Sequence, residues 1–124
     1  MHALRHVHEL VVPGGTVVDL HPVTEEQVET GDGTVIGVIE EPDFIATDLP
    51  NAEARLQESI RDGLYVLEQE TEFDFLQHFD TVEELIEEKH DLLTGDDSLT
   101  RRIRTATPPL VTREHTVLRR LRVV

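Results

Sequence analysis

Leu10-Val11-Val12-Pro13-Gly14-Gly15-Thr16-Val17-Val18-Asp19-Leu20-His21-Pro22 is the stretch on which the reading of the fold turns. Upstream of it, Leu4, Val7, Leu10 and Val11 recur at helical spacing and predict an amphipathic helix over residues 2–11. Pro13 cannot extend that helix. Two glycines after it can take φ > 0 without a Cβ penalty, which a helix turning into a strand requires. Thr16 to His21 is short, β-branched and flanked by breakers, so it reads as a strand over 16–21 buried on both faces.

Downstream, Gly31-Asp32-Gly33 separates Gln27–Thr30 from the apolar run Thr34–Ile39, the pattern of a hairpin whose second arm spans 34–39. The first arm, with Glu25, Glu26 and Glu29, reads as a charged edge strand. Phe44–Ala46 suits a short helical turn between two prolines. Asp48 is then placed to cap a helix over 48–63, with Leu49, Ala52, Leu56, Ile60 and Leu64 on its apolar face and Glu53, Arg55, Glu58 and Arg61 in water. Thr71, Phe73, Phe75, Gln77 and Phe79 alternate with polar residues, predicting a strand over 70–79 with three phenylalanines on its buried face. Asp80 to Glu83 has the form of a capping box opening a helix over 81–93, and Ser98 a cap opening another over 98–105. A final strand over 115–123 is rich in Val, Leu and Arg. The expected class is α+β, one domain over 1–124, with a small mixed or antiparallel sheet.

Composition narrows the function classes. Of 124 residues, 38% are hydrophobic and 30% charged, and aromatics are 4%, so the core must be largely aliphatic. No apolar run reaches the length of a membrane span, and without cysteine there is neither a disulfide framework nor thiolate chemistry. No membrane partner and a cytoplasmic location are expected. The net charge of -15 is uneven. Up to Ser98, four Lys and Arg face twenty-five Asp and Glu, a net -21; from Leu99 on, seven Arg face Glu114, a net +6. So acidic a chain repels nucleic-acid phosphates at long range, and none is expected as a partner. The asymmetry predicts a basic last segment folded on an acidic body, with Glu72 or Asp74 facing Arg119, Arg120 or Arg122.

Candidate chemistry is sparse. His2 and His6 lie four apart on one helical face, the spacing of a metal pair, but no HExxH or Cys/His motif supplies further ligands, and no metal is expected. The acid pairs Glu25-Glu26, Glu40-Glu41, Glu83-Glu84 and Glu87-Glu88 read as solvated faces, because sequence neighbours on a helix point apart. Ser59 and Ser98 have no neighbouring base. No catalytic residue is assigned. Asp19 and His21, at the end of the first strand, fit strand and turn termination.

Ala3-Leu4-Arg5-His6-Val7-His8-Glu9-Leu10 followed by Pro13-Gly14-Gly15 resembles the helix and turn before the fifth strand of class I S-adenosylmethionine-dependent methyltransferases. The helix ending near Gly63, the aromatic strand and the last strand resemble that family's fifth helix, sixth strand and seventh strand. The resemblance implies that the last strand inserts antiparallel between the other two, and that Asp19 and His21 border the substrate side. The family's glycine-rich cofactor loop and the acidic residue that holds the cofactor ribose have no counterpart here, so no cofactor-binding residue is carried over. S-adenosylmethionine would enter only through a separate cofactor-binding polypeptide. Two function classes stay open: a methyltransferase-related domain not catalytic alone, and a non-enzymatic α+β module for self-association or partner binding. Without the family's fourth strand, residues 16–20 would present an open edge. That predicts a homodimer through this strand and the helix over 2–11, unless the arm 35–39 folds back to cover it.

Overall fold

In the computed structural model, which describes residues 3–124, the Pro-Gly-Gly corner turns as its residue types dictate. Helix α1 (Ala3–Leu10) stops before it, and Gly14 has φ +85°. The Gly14 N–H donates to the Val123 carbonyl at 2.8 Å and the Val123 N–H to the Gly15 carbonyl at 2.9 Å. A Cβ on Gly15 would lie 2.5 Å from Val11 Cγ1, so a side chain there would force the turn open.

From this corner β1 (Thr16–Pro22) leads to the hairpin β2 (Glu26–Thr30) and β3 (Val35–Ile39). A π-helical turn (Phe44–Asp48) runs into α2 (Leu49–Arg61), followed by β4 (Tyr65–Phe79). Three short helices, α3 (Val82–Glu88), α4 (His90–Leu93) and α5 (Asp97–Arg104), precede β5 (Leu110–Val123). The fold is α+β, 39% helical and 38% strand, with five strands in an open antiparallel sheet. Strand order is β1-β5-β2-β3, with β4 also paired to β5. The last strand is therefore the hub: it takes β1 along Thr116–Arg122 and β2 along Leu110–Arg113.

The chain divides into two compact units. The first comprises residues up to Val23, Pro42–Phe73 and Thr116–Val124. Its core is small: Leu56, Tyr65, Leu121 and Val123, with Leu4, Val11, Val17, Ile60 and Leu64 packed around them. Gly63, at φ +77°, ends α2 so that the chain can enter β4, and the Tyr65 hydroxyl donates to the Leu4 carbonyl at 2.6 Å. The second unit comprises Thr24–Glu41 and Asp74–His115. Its core is larger and includes Val28, Ile39, Phe79, Leu85, Leu99, Ile103 and Leu110.

Several expectations are corrected. β1 is not buried on both faces, because Val18 and Leu20 are 61% and 55% exposed. β4 begins at Tyr65 rather than near 70, and only Phe79 of its three phenylalanines is buried; Phe73 and Phe75 are exposed. β2 is an inner strand between β5 and β3, with Glu26 and Glu29 buried. β5 starts at Leu110, five residues before the expected 115. Asp48 caps nothing, since its backbone is already helical where the π-turn continues into α2. The capping box sits one residue later than read: Thr81 accepts from the Glu84 N–H at 3.2 Å, and the Glu84 carboxylate accepts from the Asp80 N–H at 3.1 Å. Asp96, not Ser98, caps α5. The helix expected over 81–93 breaks at Lys89, whose backbone leaves the helical region while its side chain reaches Glu26 and Gln77. No helix among the described residues is long and apolar enough to cross a membrane.

A candidate site at the carboxyl end of the first strand

Strand periodicity puts Val17, Asp19 and His21 on one face of β1, opposite Leu121, Arg119 and Val117 of β5. Val17 and Leu121 join the small core of the first unit. The next step along the same face, Asp19 against Arg119, is polar. Helix α2 lays Glu53 beside them, one turn before the buried Leu56, and Glu70 arrives from β4. Arg119, 8% exposed, is thus held among three carboxylates.

The geometry is well satisfied. Arg119 Nη1 and Nη2 donate to the two Glu53 oxygens at 2.9 and 3.0 Å, a bidentate pair, and Nε donates to Glu70 at 2.7 Å. Nη1 also reaches Asp19 at 3.4 Å. His21 lies between Asp19, 3.1 Å from Nδ1, and Glu53, 3.0 Å from Nε2. Carboxylates only accept, so both contacts are hydrogen bonds when the ring carries both protons. Burial pushes the Glu53 carboxyl up, but the hydrogen bonds and charge of Arg119, with those of His21, outweigh it and hold the group below its ordinary value. Burial alone would make Arg119 easier to deprotonate; its bonds to Glu53 and Glu70 raise it instead.

A cavity of about 250 Å³ opens beside this cluster, walled by Ala3, Leu4, Ala52 and Leu56, with Asp19, His21, Arg55 and Arg119 as its polar lining. The guanidinium occupies the place among the carboxylates that a cation would take. No group of three or more His, Asp or Glu suited to a metal exists among the described residues. What the arrangement offers is an apolar pocket with a fixed Asp-His pair at its mouth.

Asp19 and His21 are therefore brought together, and with Glu53, which the helical pattern had left in water. The missed signal is that Leu49, Glu53, Leu56 and Ile60 share one helical stripe. His2 lies outside the described residues, and His6 is exposed on α1. The acid pairs are not all solvated: Glu26 is 2.9 Å from Lys89, and the Glu25 carboxylate accepts the Glu41 N–H. The basic segment does fold on the acidic body, with shifted partners. Asp74 meets Arg113 rather than a later arginine, Arg119 meets Glu70, and Arg122 meets Glu68 at 3.6 Å. No protein-family model matches this chain, and neither a curated protein nor a solved structure matches it.

Proposed function

We propose that this chain is a methyltransferase-related domain that holds the substrate side of a class I fold, has no cofactor loop of its own, and takes part in methyl transfer only beside a polypeptide that supplies S-adenosylmethionine. The observation that carries this reading is the strand order: β5 lies antiparallel between β1 and β4, and α2 lies on the connection between those two. The Asp19-His21 pair and its cavity stand at the carboxyl end of β1, the place that the family resemblance gives to the substrate side. Gly31 and Gly33 lie in the β2–β3 turn, which leaves them no role as a strand-to-helix cofactor loop.

Two titrations test it. The isolated chain melted with S-adenosylmethionine should show no shift, whereas ligand at a hundred times its Kd would add about 2.7 kcal/mol. The chain purified at native level from its own cells should retain radiolabelled S-adenosylmethionine, and lose it once any accompanying polypeptide is stripped away. A native preparation that never retains label sinks the proposal.

The second reading, a non-enzymatic self-association module, is favoured by one observation. Among the described residues β1 has a strand neighbour on one side only, and its exposed face carries Val18 and Leu20. Sedimentation equilibrium at micromolar concentration tests it, and a monomer there removes it.

A further inference from the structure

Ala3 and Leu4 of α1 and Ala52 and Leu56 of α2 give the cavity of the first unit apolar walls, which suit the hydrocarbon body of a ligand. Its orientation falls to the polar lining, and those residues differ in how much bonding capacity they have left. Arg119 spends Nε on Glu70, Nη2 on Glu53, and Nη1 on Glu53 and Asp19. His21 turns both ring nitrogens to carboxylates, and Arg55 is already engaged. Asp19 is the exception. Of the three acids around Arg119 it alone lines the cavity, and it is the most loosely held. Glu53 and Glu70 take bonds of 2.7–3.0 Å, whereas Asp19 shares one His21 nitrogen between its oxygens at 3.2 and 3.1 Å and meets Arg119 at 3.4 Å. A carboxylate offers about four acceptor positions, so Asp19 keeps lone pairs to spare.

We propose that this cavity binds a small primary amine on an apolar body, its ammonium donating to the Asp19 carboxylate and its hydrocarbon lying between α1 and α2. The proposal rests on the reading of this cavity as a substrate side and names the substrate class. Charge selects the head group. Asp19, Glu53 and Glu70 stand against two guanidiniums, Arg119 and Arg55, a local net of -1 that a protonated His21 raises no higher than zero. A carboxylate ligand would meet cations whose bonds are largely committed, and a chain of net charge -15 repels it at long range while drawing a cation in. A hydroxyl could fill the same lone pairs of Asp19. An ammonium fills them with a charge-assisted bond, which is about twice as strong.

Benzylammonium, benzyl alcohol and benzoate set three head groups on one apolar body. Each is titrated into the full chain and followed by the NMR shifts of the Ala3 and Ala52 methyls. Benzylammonium should bind about tenfold more tightly than benzyl alcohol, and benzoate should not bind. Asp19→Asn keeps an acceptor without the charge, so the alcohol should still bind and the advantage of the amine should vanish. Ala52→Leu, on an exposed position of α2, fills the cavity and should abolish binding of both. Equal affinities for amine and alcohol, or tighter binding of benzoate, overturn the amine class and leave the substrate-side reading standing. No binding of any of the three, or binding that Ala52→Leu leaves unchanged, overturns the site. The substrate-side reading fails separately, through a native preparation that retains no S-adenosylmethionine label, and that result leaves amine binding by this chain untouched.

Discussion

The two units bury charge in opposite senses. In the first, the buried member is a cation: Arg119 sits among Asp19, Glu53 and Glu70, beside a cavity and a small apolar core. In the second, the buried members are acids: Glu26, 4% exposed, lies under Lys89, and Glu29, 6% exposed, under Arg113 at 2.7 Å. An acidic chain has few cations, and each unit places one of them largely inside, Arg119 in the first and Lys89 in the second. The difference lies in what stands behind each. The second unit has Leu85, Leu99 and Ile103 fully buried in its core, so packing would hold it if a pair were loosened. The first depends on its polar centre.

The largest way to break this comparison removes what both units share. A chain ending at Thr112 loses the hub strand β5 from Arg113 onward, and with it every β5 partner of β1 and the Gln27–Arg113 pair of β2. It should show no cooperative transition by circular dichroism on heating. A sharp melt from that truncation would mean the second unit folds unaided.

Next in size is Arg119→Ala. It leaves Glu53, Glu70 and Asp19 facing one another without their cation, and losing one partner of a buried pair costs about 3–5 kcal/mol. Glu53 is one-third exposed, so the low end, about 3 kcal/mol in urea unfolding, is expected. Adding Glu53→Gln should recover part of that loss, since the two changes act on one network. Strictly additive losses would show that the bidentate pair is decorative.

The smallest effect is one of pH, on which Glu53 of the first unit and Glu41 and Glu114 of the second act in opposite directions. Glu53 is held below the ordinary 4.5, so its contribution is full above that pH and is lost as pH falls through its folded value. Glu41 and Glu114 are pushed above 4.5, by burial first and then by the nearby Glu26. Ionising them opposes folding at neutral pH, and that penalty lifts as pH falls toward 4.5. Tm should therefore rise from pH 7 to about pH 5 and fall below 4.5. Glu41→Gln should raise Tm at pH 7 and flatten the climb; an unchanged profile would remove Glu41 from the account.

Local signals in the sequence carried element type well, because helical and strand periodicities need no partner. The Pro-Gly-Gly corner, the Gly63 stop and the hairpin turn were legible for the same reason. Burial was not. Alternation along β4 shows that Phe73 and Phe75 share a face, but not that anything covers it. The acids of β2 read as an edge because Arg113, which neutralises Glu29, stands 84 residues downstream. The site was half legible: Asp19 and His21 are neighbours on one strand, whereas Arg119 comes from 100 residues away. Burial along β5 follows no single alternation either, with Leu110 and Thr112 buried in one unit and Val117, Arg119 and Leu121 in the other.

That shared strand also sets a schedule for the chain during synthesis. Each unit is assembled from separated segments and waits for its portion of β5. Asp19 must wait for Arg119, 100 residues later, which at about 5–20 residues per second is roughly 5–20 s on the ribosome. Throughout that interval β1 has no strand to pair with, and its valines are open to any passing partner. The nascent chain is therefore most vulnerable just before its last strand emerges, and slow codons or a stall before Leu110 would lengthen that exposure more than the same pause after it.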